Sequence, residues 1–370
     1  MGGEISEDVL TEILARLPYK SLARFQCVST SWHRIISGDY LRRRLPLIMS
    51  GVLFRDGPRG DGVDNGGGRR KQAYTYACAS DGAEGVVEAA DMGFFPCHGT
   101  STVIDGCNGL LLYYAASHPA TAAAFHVVNP STRRWAALPP PPPPRGRTLL
   151  SVLAFDPRDS PHYKVVCFTG WLPRGASMEV FDSASGAWRE HRDVDFGVDT
   201  DAMSATMHYF GGALHVLAYS GHVVRVDLDT MACAVTALPA PVSCRARAGH
   251  CRGRLRFASS DGARLRIWEL VDAGGGEWAM KHELGVKDLV ADANADEKSN
   301  GASQAVTFLF MAFHPEREVV YLWAPWKLVA FDMETWRVEE EWTFGSEKEG
   351  AHLIQVWLFP FTRHLANCLA

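Results

Sequence analysis

The stretch FLFMAFHPEREVVYLWAPWKLVAFDMETWRVEEEWTF, Phe308–Phe344, decides the fold. It holds four short runs rich in Val, Leu, Phe, Tyr and Trp, separated by turn-forming residues, the signature of hairpin-connected strands. The third run closes on Asp332, and a turn then leads to Trp336. An acidic or amide side chain at that point can accept backbone N–H groups of the turn, as Asx turns do. The tryptophan after it is placed to pack between neighbouring sheets. The same plan recurs upstream in four windows, Ser101–Leu138, Leu149–His191, Ser204–Leu238 and Ser243–Leu284. Their third strands close on Asn129, Asp182, Asp227 and Glu269. Trp135 and Trp188 follow in the first two, Trp278 follows a Gly274-Gly275-Gly276 insertion in the fourth, and the third window has no tryptophan there. The markers are spaced by 53, 45, 42 and 63 residues. Four strands per repeat at a period of about 40–50 residues point to an all-β propeller.

Working outward, Gly51–Arg55, Ala73–Cys78 and Gly85–Ala89 can supply strands before the first window, and His352–Phe361 one after the last. A sheet that joins strands from both ends removes an open edge. The expectation is therefore six blades, with seven as the alternative. Three segments read as connections. Asp56–Lys71 (DGPRGDGVDNGGGRRK) is Gly-rich and aperiodic, a flexible loop. Pro139–Pro144 is a short polyproline II stretch, read as a rigid link between sheets. Asp288–Ser303 is polar and reads as an exposed loop.

The chain opens differently. Ile5–Pro46, ISEDVLTEILARLPYKSLARFQCVSTSWHRIISGDYLRRRLP, reads as three short amphipathic helices. Ser6 is an N-cap with Glu7 and Asp8 behind it at the positive end of the helix dipole. Ile5 and Leu10 hold the positions of a hydrophobic staple. Val9, Leu10, Ile13, Leu14 and Leu17 recur at helical spacing, and Pro18 ends the run. Ser21 is placed to cap a second helix carrying Leu22, Phe25 and Val28. Ser29 or Thr30 starts a third carrying Trp32, Ile35 and Ile36, which Gly38 stops. Arg42-Arg43-Arg44 reads as solvated surface. A unit this small buries little of its own surface. Its apolar face points either to a partner or to the rest of the chain.

This segment resembles an F-box, on Asp8-Val9-Leu10, Glu12-Ile13-Leu14, Arg16-Leu17-Pro18, Lys20-Ser21-Leu22, Arg24-Phe25, Cys27-Val28-Ser29 and Ser31-Trp32. The family opens with Leu-Pro, where this chain has Ile5-Ser6. The resemblance implies docking onto the Skp-type adaptor of a cullin–RING ubiquitin ligase. The expected adaptor or shared-core contacts are Ile5, Val9, Leu10, Ile13, Leu14, Leu17, Pro18 and Leu22; Trp32, Phe25, Val28 and Ile35 are expected to hold the helices together. The rest of the chain resembles the F-box-associated, kelch-like region of plant F-box proteins, on Cys107–Leu112 (CNGLLL), Asn129–Trp135 (NPSTRRW) and Tyr163–Val166 (YKVV). That gives a division into an F-box, 1–46, and a propeller, 47–370. The implied role is the non-catalytic substrate-recognition subunit of a Skp–cullin–F-box ligase, its propeller capturing a protein for ubiquitination. Trp171, Trp323 and Trp326 are the candidate substrate-binding aromatics.

The composition fits that role. Of 370 residues, 47% are hydrophobic and 21% charged, as in globular proteins. A net charge of −5 argues against a nucleic-acid binder. No apolar run is long enough to cross a membrane as a helix, and Glu4, Glu7 and Asp8 stand where a secretory signal needs positive charge, so the expected location is cytoplasm or nucleus. Nine scattered cysteines without a Cys-x-x-Cys pair fit reduced thiols. Fourteen histidines show no zinc spacing, and neither a Gly-x-Ser-x-Gly elbow nor a phosphate loop occurs, so no cofactor and no metal are expected. The alternative reading is a propeller enzyme or small-ligand binder whose helical segment is a structural cap.

Overall fold

The structure is a computed structural model. It describes residues 6–45, 47, 49–55, 74–79, 87–90, 92–98, 101–115, 125–141, 150–272, 274, 276–285, 308–324, 327–343, 359–362, 365 and 368–369. Ile5 and Trp326 lie outside them, as do the glycine-rich stretch 56–71 and the polar stretch 288–303.

Four helices come first: α1 (Glu7–Leu14), α2 (Tyr19–Phe25), α3 (Thr30–Ile36) and α4 (Asp39–Arg44). Ser6 Oγ accepts Val9 N at 3.4 Å and Ser29 Oγ accepts Trp32 N at 3.2 Å, the two expected caps. Two details differ from the expectation. Pro18, not Ser21, opens α2; its extended backbone turns its carbonyl towards Ser21 N (2.9 Å) and Leu22 N (3.1 Å). Gly38 also does more than stop α3. In extended conformation it is the N-cap of α4, a fourth helix absent from the three-helix reading.

The strands form six four-stranded antiparallel sheets. Five are built from consecutive strands: β4 (Thr102–Cys107) to β7 (Arg134–Ala137), with β5 (Leu110–Tyr114) and β6 (Phe125–Asn129) between; β8 (Ser151–Ala154), β9 (Lys164–Leu172), β10 (Gly175–Asp182) and β11 (Ala187–Asp195); β12 (Met203–Phe210), β13 (Ala213–Ala218), β14 (His222–Asp227) and β15 (Cys233–Ala237); β16 (Arg247–Cys251), β17 (Arg254–Ser260), β18 (Arg264–Asp272) and β19 (Glu277–Gly285); and β20 (Leu309–Phe313), β21 (Val319–Ala324), β22 (Lys327–Asp332) and β23 (Arg337–Thr343). These five blades are the five sequence windows. The remaining sheet joins β24 (Phe359–Thr362) to β1 (Met49–Arg55), β2 (Tyr74–Ala79) and β3 (Val87–Ala90), the expected union of early and late strands. The described strands give no seventh sheet. First strands lie side by side in the order β24, β4, β8, β12, β16, β20, around a common axis. Apolar cores fill the seams between blades, for example Phe155, Tyr163 and Phe181 between the first and second, and Phe310, Val320 and Phe331 between the fourth and fifth.

The turn after each third strand is the repeat's most regular feature. Asn129 Oδ1 accepts Ser131 N (2.9 Å), Asp182 accepts Ala184 N (2.8 Å), Asp227 accepts Thr230 N (3.0 Å) and Asp332 accepts Glu334 N (2.7 Å). In the fourth blade the marker is Asp272, which accepts Gly274 N at 2.9 Å. Glu269, read from sequence as the marker, lies inside β18 and does something else, described below. Four residues after every marker the backbone is left-handed: Arg133, Gly186, Met231, Gly276 and Trp336 have φ of 54°, 66°, 60°, 69° and 59°. At Gly186 no atom lies within 4 Å of an added Cβ, so only the backbone resists substitution. Gly186→Ala is expected to lower unfolding free energy by about 1 kcal/mol in a denaturant titration.

Two of the marker tryptophans do as expected. Trp188 Nε1 donates to Pro139 O and Trp278 Nε1 to Ala237 O, both at 2.8 Å, so each indole ties its blade to the last strand or exit of the preceding blade. The former contact also anchors the start of the proline run where it leaves the first blade. Trp135 and Trp336, by contrast, are 40% and 54% exposed.

Candidate functional site

The apolar residues of α1 form two adjacent stripes. Leu10, Leu14 and Leu17 turn inward. Leu14 joins Leu22, Ile35, Ile36 and Leu41 in the helical core, while Leu10 and Leu17 pack against it half-buried. Phe25 and Trp32 meet edge to face at 5.2 Å on the same core. Val9 and Ile13, one helical turn apart on the other stripe, are 53% and 45% exposed. Pro18 is exposed too, and so is Val28 at 59%. Ion pairs fasten α1 in this attitude: Glu7 with Arg34 of α3 at 3.1 Å, and Glu12 with Arg44 and Tyr40 of α4. The neighbouring hydroxyl and guanidinium hold the Glu12 carboxyl below its ordinary range.

The structure thus divides the eight expected contacts. Leu14 and Leu22 take the shared-core place, sealed in the helical core, and do not face outward. Val9, Ile13 and Pro18 are free to do so, Leu10 and Leu17 border them, and Ile5 lies outside the described residues. Val28, assigned by sequence to holding the helices together, is instead on the surface. It sits just past α2, where helical spacing no longer predicts a face.

The helical unit occupies a definite face of the propeller. In an antiparallel blade, first-to-second and third-to-fourth turns share one face, while second-to-third turns and connections between blades share the other. Arg42 of α4, only 4% exposed, donates to Pro157 O in the β8–β9 turn and pairs with Asp39 at 3.2 Å. It is therefore an anchor to the propeller and not solvated surface. On the same face Arg158 reaches Glu316 at 2.8 Å, joining first turns of two non-adjacent blades and so spanning the axis. The opposite face carries the turns with exposed Leu172 (39%) and Tyr219 (53%).

The two described candidate substrate tryptophans are packed into apolar clusters. Trp171 stacks flat on Phe168 at 5.2 Å and meets Phe196, half-buried in the seam between the second and third blades. Trp323 is 5% exposed and packs with Leu328 and Trp342. Trp326 lies outside the described residues. Strands packed on both faces bury their aromatics, so composition alone could not tell a seam tryptophan from a surface one.

Polar clusters inside the propeller are structural. Arg256, 2% exposed, is held by Glu269 (2.8 Å) of its own blade and Glu318 (2.6 Å) of the next. Burial opposes its charge, but the two carboxylates more than offset this and raise its pKa. His208 Nε2 and His250 Nδ1 lie 2.8 Å apart under a stacked Phe210; burial pushes His208 well down and His250 to about 4, so both rings are neutral. Burial raises the Asp105 carboxyl to about 7, against hydrogen bonds from Leu153 N and Gly106 N. The Cys167 thiol is pushed up to about 12 and Cys251 to about 11, chiefly by burial, the opposite of a nucleophile's tuning. Among the described residues no three His, Cys, Asp or Glu are grouped to hold a metal, and no helix is long and apolar enough to cross a membrane.

His314 gives this interior a measurable pH response. It is 3% exposed, and its Nδ1 accepts Glu316 N (3.0 Å) and Arg317 N (3.1 Å), a role only the neutral ring can fill. Burial, then Arg317, lowers its pKa to about 4. The unfolded chain therefore takes up the proton first. Stability is full above about pH 6.5 and falls towards pH 4, by about 1.4 kcal/mol per pH unit for each such histidine. His314→Asn keeps an acceptor without the charge. Its urea midpoint is expected to fall less steeply than the parent's between pH 6 and 4.5.

The chain thus pairs a helical unit that has an uncovered apolar stripe with a propeller that carries it on one face. Comparisons with known proteins identify both parts. The F-box domain family matches residues 4–44, and the family described as "F-box protein At3g26010-like, beta-propeller" matches residues 93–350. The chain belongs to that family of F-box propeller proteins. Among relatives from Arabidopsis thaliana, F-box protein At5g07610 is 27% identical over 316 residues, covering 77% of this chain and 71% of the relative. A protein named as F-box/kelch-repeat, At1g15680, is 23% identical over 362 residues, covering 90% of this chain and 82% of the relative. F-box protein At2g40925 is 55% identical over 42 residues, covering 11% of this chain and 10% of the relative. Neither description indicates an enzyme.

Proposed function

We propose that this protein is the substrate-recognition subunit of a Skp–cullin–F-box ubiquitin ligase, working in the cytosol or nucleus. Val9, Ile13 and Val28 dock onto the Skp-type adaptor, and the propeller face opposite the F-box captures the protein to be ubiquitinated. The observation that carries the reading is the Val9–Ile13 stripe. It is solvent-exposed in the full chain, so neither the helical core nor the propeller needs it, and burying such a stripe against a partner is favourable. The far face is the natural capture surface because the F-box and its anchors take up the other. The chain itself contributes orientation and effective concentration, not bond chemistry. The test is a pull-down of a Skp-type adaptor by the full chain, with residues 1–46 deleted as control. Capture that vanishes with the deletion supports the reading; an intact, folded chain that captures nothing overturns it.

A further inference from the structure

We infer that Leu365, Cys368 and Leu369 form a clasp that fixes the angle of the F-box on the propeller. The two parts are joined covalently through the short link between Arg44 of α4 and Met49 of β1. A single tether of that kind acts as a hinge. The segment after β24 supplies a second attachment, from the other end of the propeller sequence. Leu365, 6% exposed, inserts into the F-box core among Leu14, Leu22, Ile35, Ile36 and Leu41. Four positions later Leu369, 4% exposed, inserts into the seam core between the first two propeller blades, with Leu110, Phe155 and Tyr163. Four residues span at most about 14 Å when fully extended, so the two cores are tied within that reach.

Polar contacts lock the propeller end. Arg134 Nη1 donates to Leu369 O at 3.1 Å, and the Asn129 side chain hydrogen-bonds the Cys368 thiol. Asn129 and Arg134 both belong to the NPSTRRW run. The run therefore has a use besides its turn: it holds the segment that reaches the F-box. Arg42, bonded to Pro157 O, is a third point of attachment. Attachments at both ends of the propeller sequence oppose rotation of the helical unit about the 44–49 link. The clasp residues are thus positioning residues. If the ligase reading above holds, they set the direction in which a captured protein is presented; the clasp itself does not depend on that reading.

The test uses the full chain with Cys78→Ser, spin-labelled at Cys27 and Cys244. These two are the exposed cysteines among the described residues, one in the F-box and one in the propeller. Electron–electron distance measurement is expected to give one narrow distribution in the parent chain. Arg134→Ala and Leu369→Asp are each expected to broaden it at least twofold, while the propeller's near-ultraviolet circular dichroism and adaptor pull-down persist. A distribution that stays narrow in both variants overturns the clasp. Should Leu369→Asp unfold the blade, Arg134→Ala, a surface-end change, decides alone. A parent chain that fails to bind adaptor counts against the ligase reading and leaves the distance result standing.

Discussion

Replacing Arg256 by alanine is expected to cost about 3–5 kcal/mol of unfolding free energy, the largest single-residue effect in the propeller. The side chain is 2% exposed, and its partners Glu269 and Glu318 are 9% and 10% exposed. Removing the guanidinium leaves two carboxylates facing each other in a low-dielectric seam. The nearby cations are weaker substitutes: Lys281 is 3.4 Å from Glu269, and Arg252 is 3.4 Å from Glu318, both side chains being largely solvated. His282 stands 3.4 Å from Glu318, but burial lowers its pKa, so it adds little charge at neutral pH. The loss has a distinctive control. A triple variant, Arg256→Met with Glu269→Leu and Glu318→Leu, removes the charges together and is expected to be more stable than Arg256→Ala alone. Guanidinium titrations of both, followed by tryptophan fluorescence, check the order. A triple variant less stable than the single would mean that the triad is a net stabiliser and not merely a mutually compensated one.

The second large effect belongs to the F-box surface. Ile13→Asp is expected to weaken adaptor binding at least 100-fold, about 2.7 kcal/mol or more. The charge lies at 45% exposure, so folding tolerates it, and the parent's melting temperature is expected within a few degrees. Leu14→Asp also abolishes binding, but for another reason. It buries a charge in the core of Leu22, Ile35, Ile36 and Leu41, and helical circular dichroism is lost with it. The pair separates contact from folding, which neither substitution does by itself.

Much of this was legible in the chain because it depends on local rules. Ser6 and Ser29 cap helices as their chemistry demands, and Asn129, Asp182, Asp227 and Asp332 each close a third strand with the same side-chain-to-backbone bond. What escaped depends on tertiary placement. Glu269 is acidic and near the right spacing, but β18 runs three residues beyond it, so Asp272 takes the marker's place and Gly276 the left-handed position of a turn of ordinary length. On α1 the stripes Leu10–Leu14–Leu17 and Val9–Ile13 are both apolar; the packing of α2, α3, α4 and Leu365 decides which turns inward. Arg42 sits in an arginine run that looks solvated, and its burial against Pro157 arises across a separation of 115 residues. Trp171 and Trp323 are indistinguishable by type from surface anchors until the apolar clusters that bury them are seen.

The claim at the centre of this account is that the exposed Val9–Ile13 stripe is the docking surface for a Skp-type adaptor. Its most direct test is calorimetric titration of a purified Skp-type adaptor into the folded full chain and into its Ile13→Asp variant. The account predicts saturable one-to-one binding to the parent and a loss of at least 100-fold in the variant, with the variant still folded. Equal affinity for the two, or no binding to the folded parent, would contradict it.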